Sequence, residues 1–76
     1  MRQYVVFTTW DGEARVWVAT SDDIPGLVTE AETFERLVER VIAIAPELLE
    51  LNNQAPGDGA ELKFEAVRRE HLAYAA

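Results

Sequence analysis

Four residue types in this 76-residue chain could carry chemistry, and each meets an obstacle in its spacing. His71 is the single histidine and there is no cysteine. That removes the thiol nucleophile, the disulfide, the cysteine or paired-histidine zinc site, and the paired imidazole acid and base. Ser21, His71 and an aspartate are the parts of a nucleophilic triad, but no nucleophile elbow or comparable local signature brings them together. The four glycines, Gly12, Gly26, Gly57 and Gly59, all fall in turn-like stretches and make no phosphate-cradling pattern. Asp11, Glu13, Asp22 and Asp23 are the carboxylates that could hold a divalent metal for phosphodiester cleavage. Asp11 and Glu13 fall at one end of a strand and Asp22 and Asp23 at the other, roughly 25 Å apart for eight extended residues, so turn and surface roles are expected for them. No catalytic residue, cofactor or metal ligand is expected.

Composition sets the frame for these residues. The chain is 49% hydrophobic and 28% charged, a globular balance, and it has no apolar run near the roughly 18 residues of a membrane span. Its length allows one small domain over residues 1–76. Without cysteines, hydrophobic packing must stabilise it. Met1 to Val5 leads straight into a strand-like pattern without a secretory leader, so a cytoplasmic location is expected. Fourteen acidic residues against seven basic ones give a net charge of −7, which opposes binding to nucleic-acid phosphates and would attract a basic protein partner, although solubility alone would justify the same charge.

Residues 4–10 and 14–20 are rich in β-branched and aromatic side chains and flank Asp11-Gly12, the signature of a hairpin with a two-residue turn. Ser21-Asp22-Asp23-Ile24-Pro25-Gly26 then reads as a loop, and Leu27 to Ala31 as a short third strand, a candidate sheet edge. Thr33 is the expected N-cap of a helix from about Phe34 to Leu51, in which Phe34, Leu37, Val38, Val41, Ala45, Leu48 and Leu49 recur at helical spacing. Pro46 should kink or divide that helix. Asn52 to Gly59 has loop composition, and from Ala60 Leu62, Phe64 and Ala66 alternate with Glu61, Lys63 and Glu65 as a fourth strand. The order is β-β-β-α-β, an α+β domain with a hairpin-led sheet and a helix on one face. A helical crossover should return the last strand parallel to the third and beside the first. His71 to Ala76 has no assignable period.

A two-residue turn separates two faces of the hairpin. Val5, Phe7, Thr9, Ala14, Val16 and Val18 are almost wholly apolar and form the expected core face beneath the helix. The opposite face mixes aromatics with charge, and Tyr4, Val6, Trp10, Arg15 and Trp17 are its candidate interface residues. Two tryptophans there would expose much apolar area unless a second copy covered them, so a homo-oligomer is expected. The alternatives are that the final segment or the helix folds over that face, or that a different turn shifts the register.

The run Trp10-Asp11-Gly12-Glu13-Ala14, Val16 to Leu27 and Glu30 to Glu35 resembles a bacterial family of uncharacterised proteins grouped with the HicB-like antitoxins. The matching features are the aromatic strand, the turn Asp23-Ile24-Pro25-Gly26 and the threonine-led acidic helix at Thr33 to Glu35, and they cover about residues 4–51. The resemblance implies a partial ribonuclease-H-like core without its catalytic carboxylates, and an antitoxin domain that binds a small basic mRNA-cleaving toxin of the HicA kind. Asp22, Asp23, Glu30 and Glu32 are then the acidic surface offered to that partner. Many HicB proteins carry a C-terminal operator-binding segment, and this sequence reaches Ala76 without one, so direct nucleic-acid binding is not expected. The rival readings are a self-associating accessory protein without a toxin, and a metal-assisted nuclease.

Overall fold

A computed structural model describes residues 2–54 and 59–73. Strands β1 (Gln3–Asp11), β2 (Val16–Thr20), β3 (Val28–Ala31) and β4 (Glu61–Val67) form one sheet in the order β3-β2-β1-β4, with helix α1 (Phe34–Leu51) between β3 and β4 in the chain. β1 pairs antiparallel with β2, β2 antiparallel with β3, and β1 parallel with β4. The expected β-β-β-α-β domain is thus present, with the last strand beside the first and the third strand at an edge. Among the described residues, no helix is long and apolar enough to cross a membrane.

The helix starts where capping chemistry places it, as the Thr33 hydroxyl accepts the Arg36 backbone N–H at 3.1 Å. Leu37, Val41, Ala45 and Leu49, four apart, are its buried stripe. Pro46 does not divide it: all eighteen residues are helical. Proline removes one donor, normally paired with the carbonyl four residues back, and Ile42 lies on the exposed side where water can serve that carbonyl. The chain leaves the helix through Asn53 at φ 56°, with Asn53 N–H donating to the Glu50 carbonyl. Of the expected loop from Asn52 to Gly59, residues 55–58 lie outside the described part.

The hairpin departs from expectation in its turn. Trp10 pairs with Trp17 and Asp11 with Val16, leaving residues 12–15 as a four-residue loop. The Asp11 carboxylate accepts the N–H groups of Glu13 and Ala14 at 3.0 and 3.1 Å, and the Arg15 N–H donates to the Asp11 carbonyl at 2.7 Å. Arg15, at φ 59°, takes the left-handed position that the two-residue reading gave to Gly12. An aspartate able to cap two amides makes the longer turn competitive with the Asp-Gly turn.

The four-residue shift preserves which residues share a face but not which face the helix covers. Tyr4, Val6, Thr8 and Ala19 are buried beneath α1 with Ile24, Leu27 and Ala31, and Trp17, Leu62 and Phe64 pack against them. Val6 is 0% exposed whereas its neighbour Phe7 is 44% exposed. The expected core face of Val5, Phe7, Thr9, Val16 and Val18 is therefore the open face of the sheet. The charges that made the other face look like an interface, Glu13 and Arg15, sit in the loop beyond the helix and leave its aromatic centre free to be core. Thr8 is accommodated there because its hydroxyl donates to the Glu65 carbonyl at 3.0 Å.

Candidate functional site: the open sheet face

The turn after β2 accounts for the residues with most apparent chemical potential. The Ser21 hydroxyl donates to the Val5 carbonyl at 2.5 Å and accepts the N–H groups of Asp23 and Ile24 at 3.0 and 3.2 Å. The Asp23 carboxylate accepts the Val5 N–H at 2.7 Å. Both side chains thus take up the β1 backbone groups of Val5, next to where the β1–β2 ladder stops at Phe7 and Thr20. Ser21 is fully engaged as a turn anchor, and His71 is exposed in the chain after β4. Gly26 completes the turn at φ 84°, where an added Cβ would sit 3.5 Å from the Leu48 side chain. Among the described residues, no three of His, Cys, Asp and Glu are grouped as metal ligands. Replacing Asp23 by alanine hands the exposed Val5 N–H to water, and a loss of about 0.5–1.5 kcal/mol in urea unfolding is expected. An unchanged midpoint would show that the bond contributes nothing.

The candidate interface residues of the aromatic face separate into other roles. Tyr4 and Val6 are core, and Arg15 is a loop residue. Trp17 packs edge-on against Phe34 with ring centroids 5.4 Å apart, and Phe34 against Phe64 at 6.3 Å. Trp10 extends this series outward, 5.6 Å from Trp17, and the Arg68 guanidinium lies 4.5 Å from its ring centre while donating to Glu70 at 2.7 Å. The helix and the residues after β4 lie against the indoles. The bulk that suggested an exposed platform is what fills the space under an 18-residue helix.

The acidic candidates are also dispersed. Asp22 and Asp23 lie in the turn before β3, Glu30 on the open face of that strand, and Glu32 beyond its far end. Glu30 and Glu32 line one cleft at the β3 edge, apart from Asp22 and Asp23.

The surface left without cover was read from the sequence as core. In the ladder, Val18 stands between Thr9 and Glu30, Thr9 beside Val67, Phe7 between Thr20 and Glu65, Val16 beside Asp11, and Val28 beside Thr20. Paired residues share a face. The result is an apolar centre of Val5, Phe7, Val16, Val18, Val28 and Val67, with Phe7 and Val67 each 44% and Val28 73% exposed. Around it stand Asp11, Glu30, Glu61 and Glu65, against one cation among the described residues, Lys63, which pairs with Glu65 at 3.5 Å. An apolar centre with a charged rim is the anatomy of a protein-binding surface. The fourth strand carried the signal that could have identified it. Leu62 and Phe64 must face a core, and whichever β1 residues pair with them must face it too.

Comparison with known proteins agrees with this architecture. A hypothetical protein from the extremely thermophilic bacterium Thermus thermophilus, known from a crystal structure, shares 49% sequence identity over 93% of this chain and 100% of its own, with a TM-score of 0.82. No curated protein matches the chain. The model of the domain of unknown function DUF1902 matches residues 3–75, and the chain belongs to that family.

Proposed function

We propose that the domain is a non-enzymatic interaction module that holds a small basic protein against its open sheet face. The observation carrying this reading is the apolar centre of that face inside a rim of four carboxylates and one already paired ammonium. Phe7, Val18 and Val67 supply area to desolvate, and Asp11, Glu30, Glu61 and Glu65 attract a cationic partner and oppose a second acidic copy. The chain's net charge of −7 works in the same direction at longer range. The resemblance of the Asp23-Ile24-Pro25-Gly26 turn and the Thr33-led helix to HicB-like antitoxins makes an mRNA-cleaving toxin of the HicA kind the candidate partner. The engagement of Ser21 and Asp23 with the β1 backbone supports a binding role over a hydrolytic one.

Co-expression with a short basic protein encoded in the neighbouring reading frame tests the proposal. The two proteins should co-purify, the neighbour's growth arrest should be relieved, and binding should weaken as salt rises past physiological strength. Phe7→Ala should weaken capture by roughly thirtyfold, the scale of a central hot-spot loss of about 2 kcal/mol. Equal capture by Phe7→Ala and the unaltered chain, or no binding of any such neighbour, would overturn the assignment.

A further inference from the structure

β3 is a sheet edge whose single ladder neighbour among the described residues is β2. Its outer backbone groups are a template for a further strand. α1 packs on β3 and β2, and a cleft along this edge is lined by Val18, Val28 and Glu30 from the sheet and by Arg36, Glu39 and Arg40 from the helix. Glu30, Glu32 and Glu39 stand with Arg36 and Arg40 there, so the cleft gathers both signs of charge on a chain whose overall charge is strongly negative. Among the described residues, the ion pairs are Lys63–Glu65 and Arg68–Glu70, so none of these five charged side chains is held in an intramolecular ion pair. The opposite edge differs, because β4 sets Glu61, Lys63 and Glu65 in succession along one face, a charged pattern that discourages strand addition.

We propose that β3 pairs antiparallel with β3 of a second copy across a two-fold axis, joining two four-stranded sheets into one of eight strands, with Arg36 of each helix opposite Glu39 of the other. A two-fold contact brings the same patch together with itself. A helix edge on which Glu39 stands between Arg36 and Arg40 can satisfy that condition, and the acidic rim of the open face cannot. The helix turns the chain back from the end of β3 to the start of the parallel strand β4, so it runs opposite to β3, and the two helices run antiparallel across the axis. Strands lie about 4.8 Å apart, and helices seated over β2 and β3 in each copy approach to about 10 Å, an ordinary helix-packing distance. Ala43, on the cleft side, keeps that approach free of bulk. The open faces of both copies remain on one side of the extended sheet, available to two partner molecules.

Sedimentation of the full chain tests this contact. The unaltered protein should dimerise. Arg36→Glu and Glu39→Arg, both at exposed positions, should each raise the dimer dissociation constant roughly tenfold or more, since symmetry makes each substitution count twice. The double variant Arg36→Glu with Glu39→Arg should restore the dimer, and circular dichroism should be the same for all. A monomer at millimolar concentration, a dimer that neither single substitution weakens, or a double variant as weak as the singles would overturn the proposal. Phe7→Ala should dimerise normally, which separates failure of this contact from failure of partner binding.

Discussion

Val6→Asp is expected to leave the chain unfolded, while Phe7→Asp, one position further along the same strand, leaves a cooperatively folding domain. The Val6 side chain is 0% exposed beneath the helix, and an aspartate there would be a charge without a partner. Such a burial costs several kcal/mol even after the carboxyl takes up a proton. A domain of this size is stable by roughly 4–11 kcal/mol at the usual 0.05–0.15 kcal/mol per residue, so the loss removes most or all of the native population. Phe7 is 44% exposed on the other side of the strand, and its replacement should change stability by about 1 kcal/mol or less. Thermal melts of the two variants read the difference directly. If Phe7→Asp were the one that fails to fold, the helix would lie on the opposite side of the sheet and the proposed binding face would vanish with it.

Leu37→Ala should destabilise the domain by about 2–5 kcal/mol, the range for removing a fully buried leucine from a core that cannot collapse around the gap. Leu37 is 0% exposed and heads the stripe continued by Val41, Ala45 and Leu49. With urea slopes of about 1–3 kcal/mol per molar, the midpoint should fall by roughly one molar or more. Ile42→Ala supplies the contrast, because Ile42 is 56% exposed on the outer side of the same helix, and its loss should stay within about 1 kcal/mol. Equal costs at the two positions would mean that the helix is rotated about its axis relative to the sheet.

Local signals were strong wherever the causes of structure lie within a few residues. The helix begins and ends where the Thr33 hydroxyl and the helical apolar spacing place it, and the third strand sits between the Asp23-Ile24-Pro25-Gly26 turn and that cap. Pro46 misleads because its cost depends on whether water reaches the carbonyl it deprives, and that is a matter of which way the helix faces. The hairpin turn misleads because two turn geometries suit Asp11-Gly12, and the choice rests on the bonds that the Asp11 carboxylate accepts from Glu13 and Ala14.

The candidate site shows the same division more sharply. Alternation along the first two strands separates the residues into the two groups that the structure also separates, Tyr4, Val6, Thr8, Trp10 and Trp17 from Val5, Phe7, Thr9, Val16 and Val18. Both groups are apolar enough to lie under a helix, so composition alone does not choose between them. The choice is made at long range, where β4 returns through the crossover and aligns Tyr4 with Leu62 and Val6 with Phe64, and Val5 with Lys63 and Phe7 with Glu65. Lysine and glutamate cannot be buried without partners, so the helix must cover the Leu62 and Phe64 side. Periodicity and capping thus determined the elements, their order and the two candidate faces. Only the pairing of strands far apart in the chain decided which face became core and which stayed open, because a strand's own alternation is symmetric between its two sides until a neighbour breaks the tie.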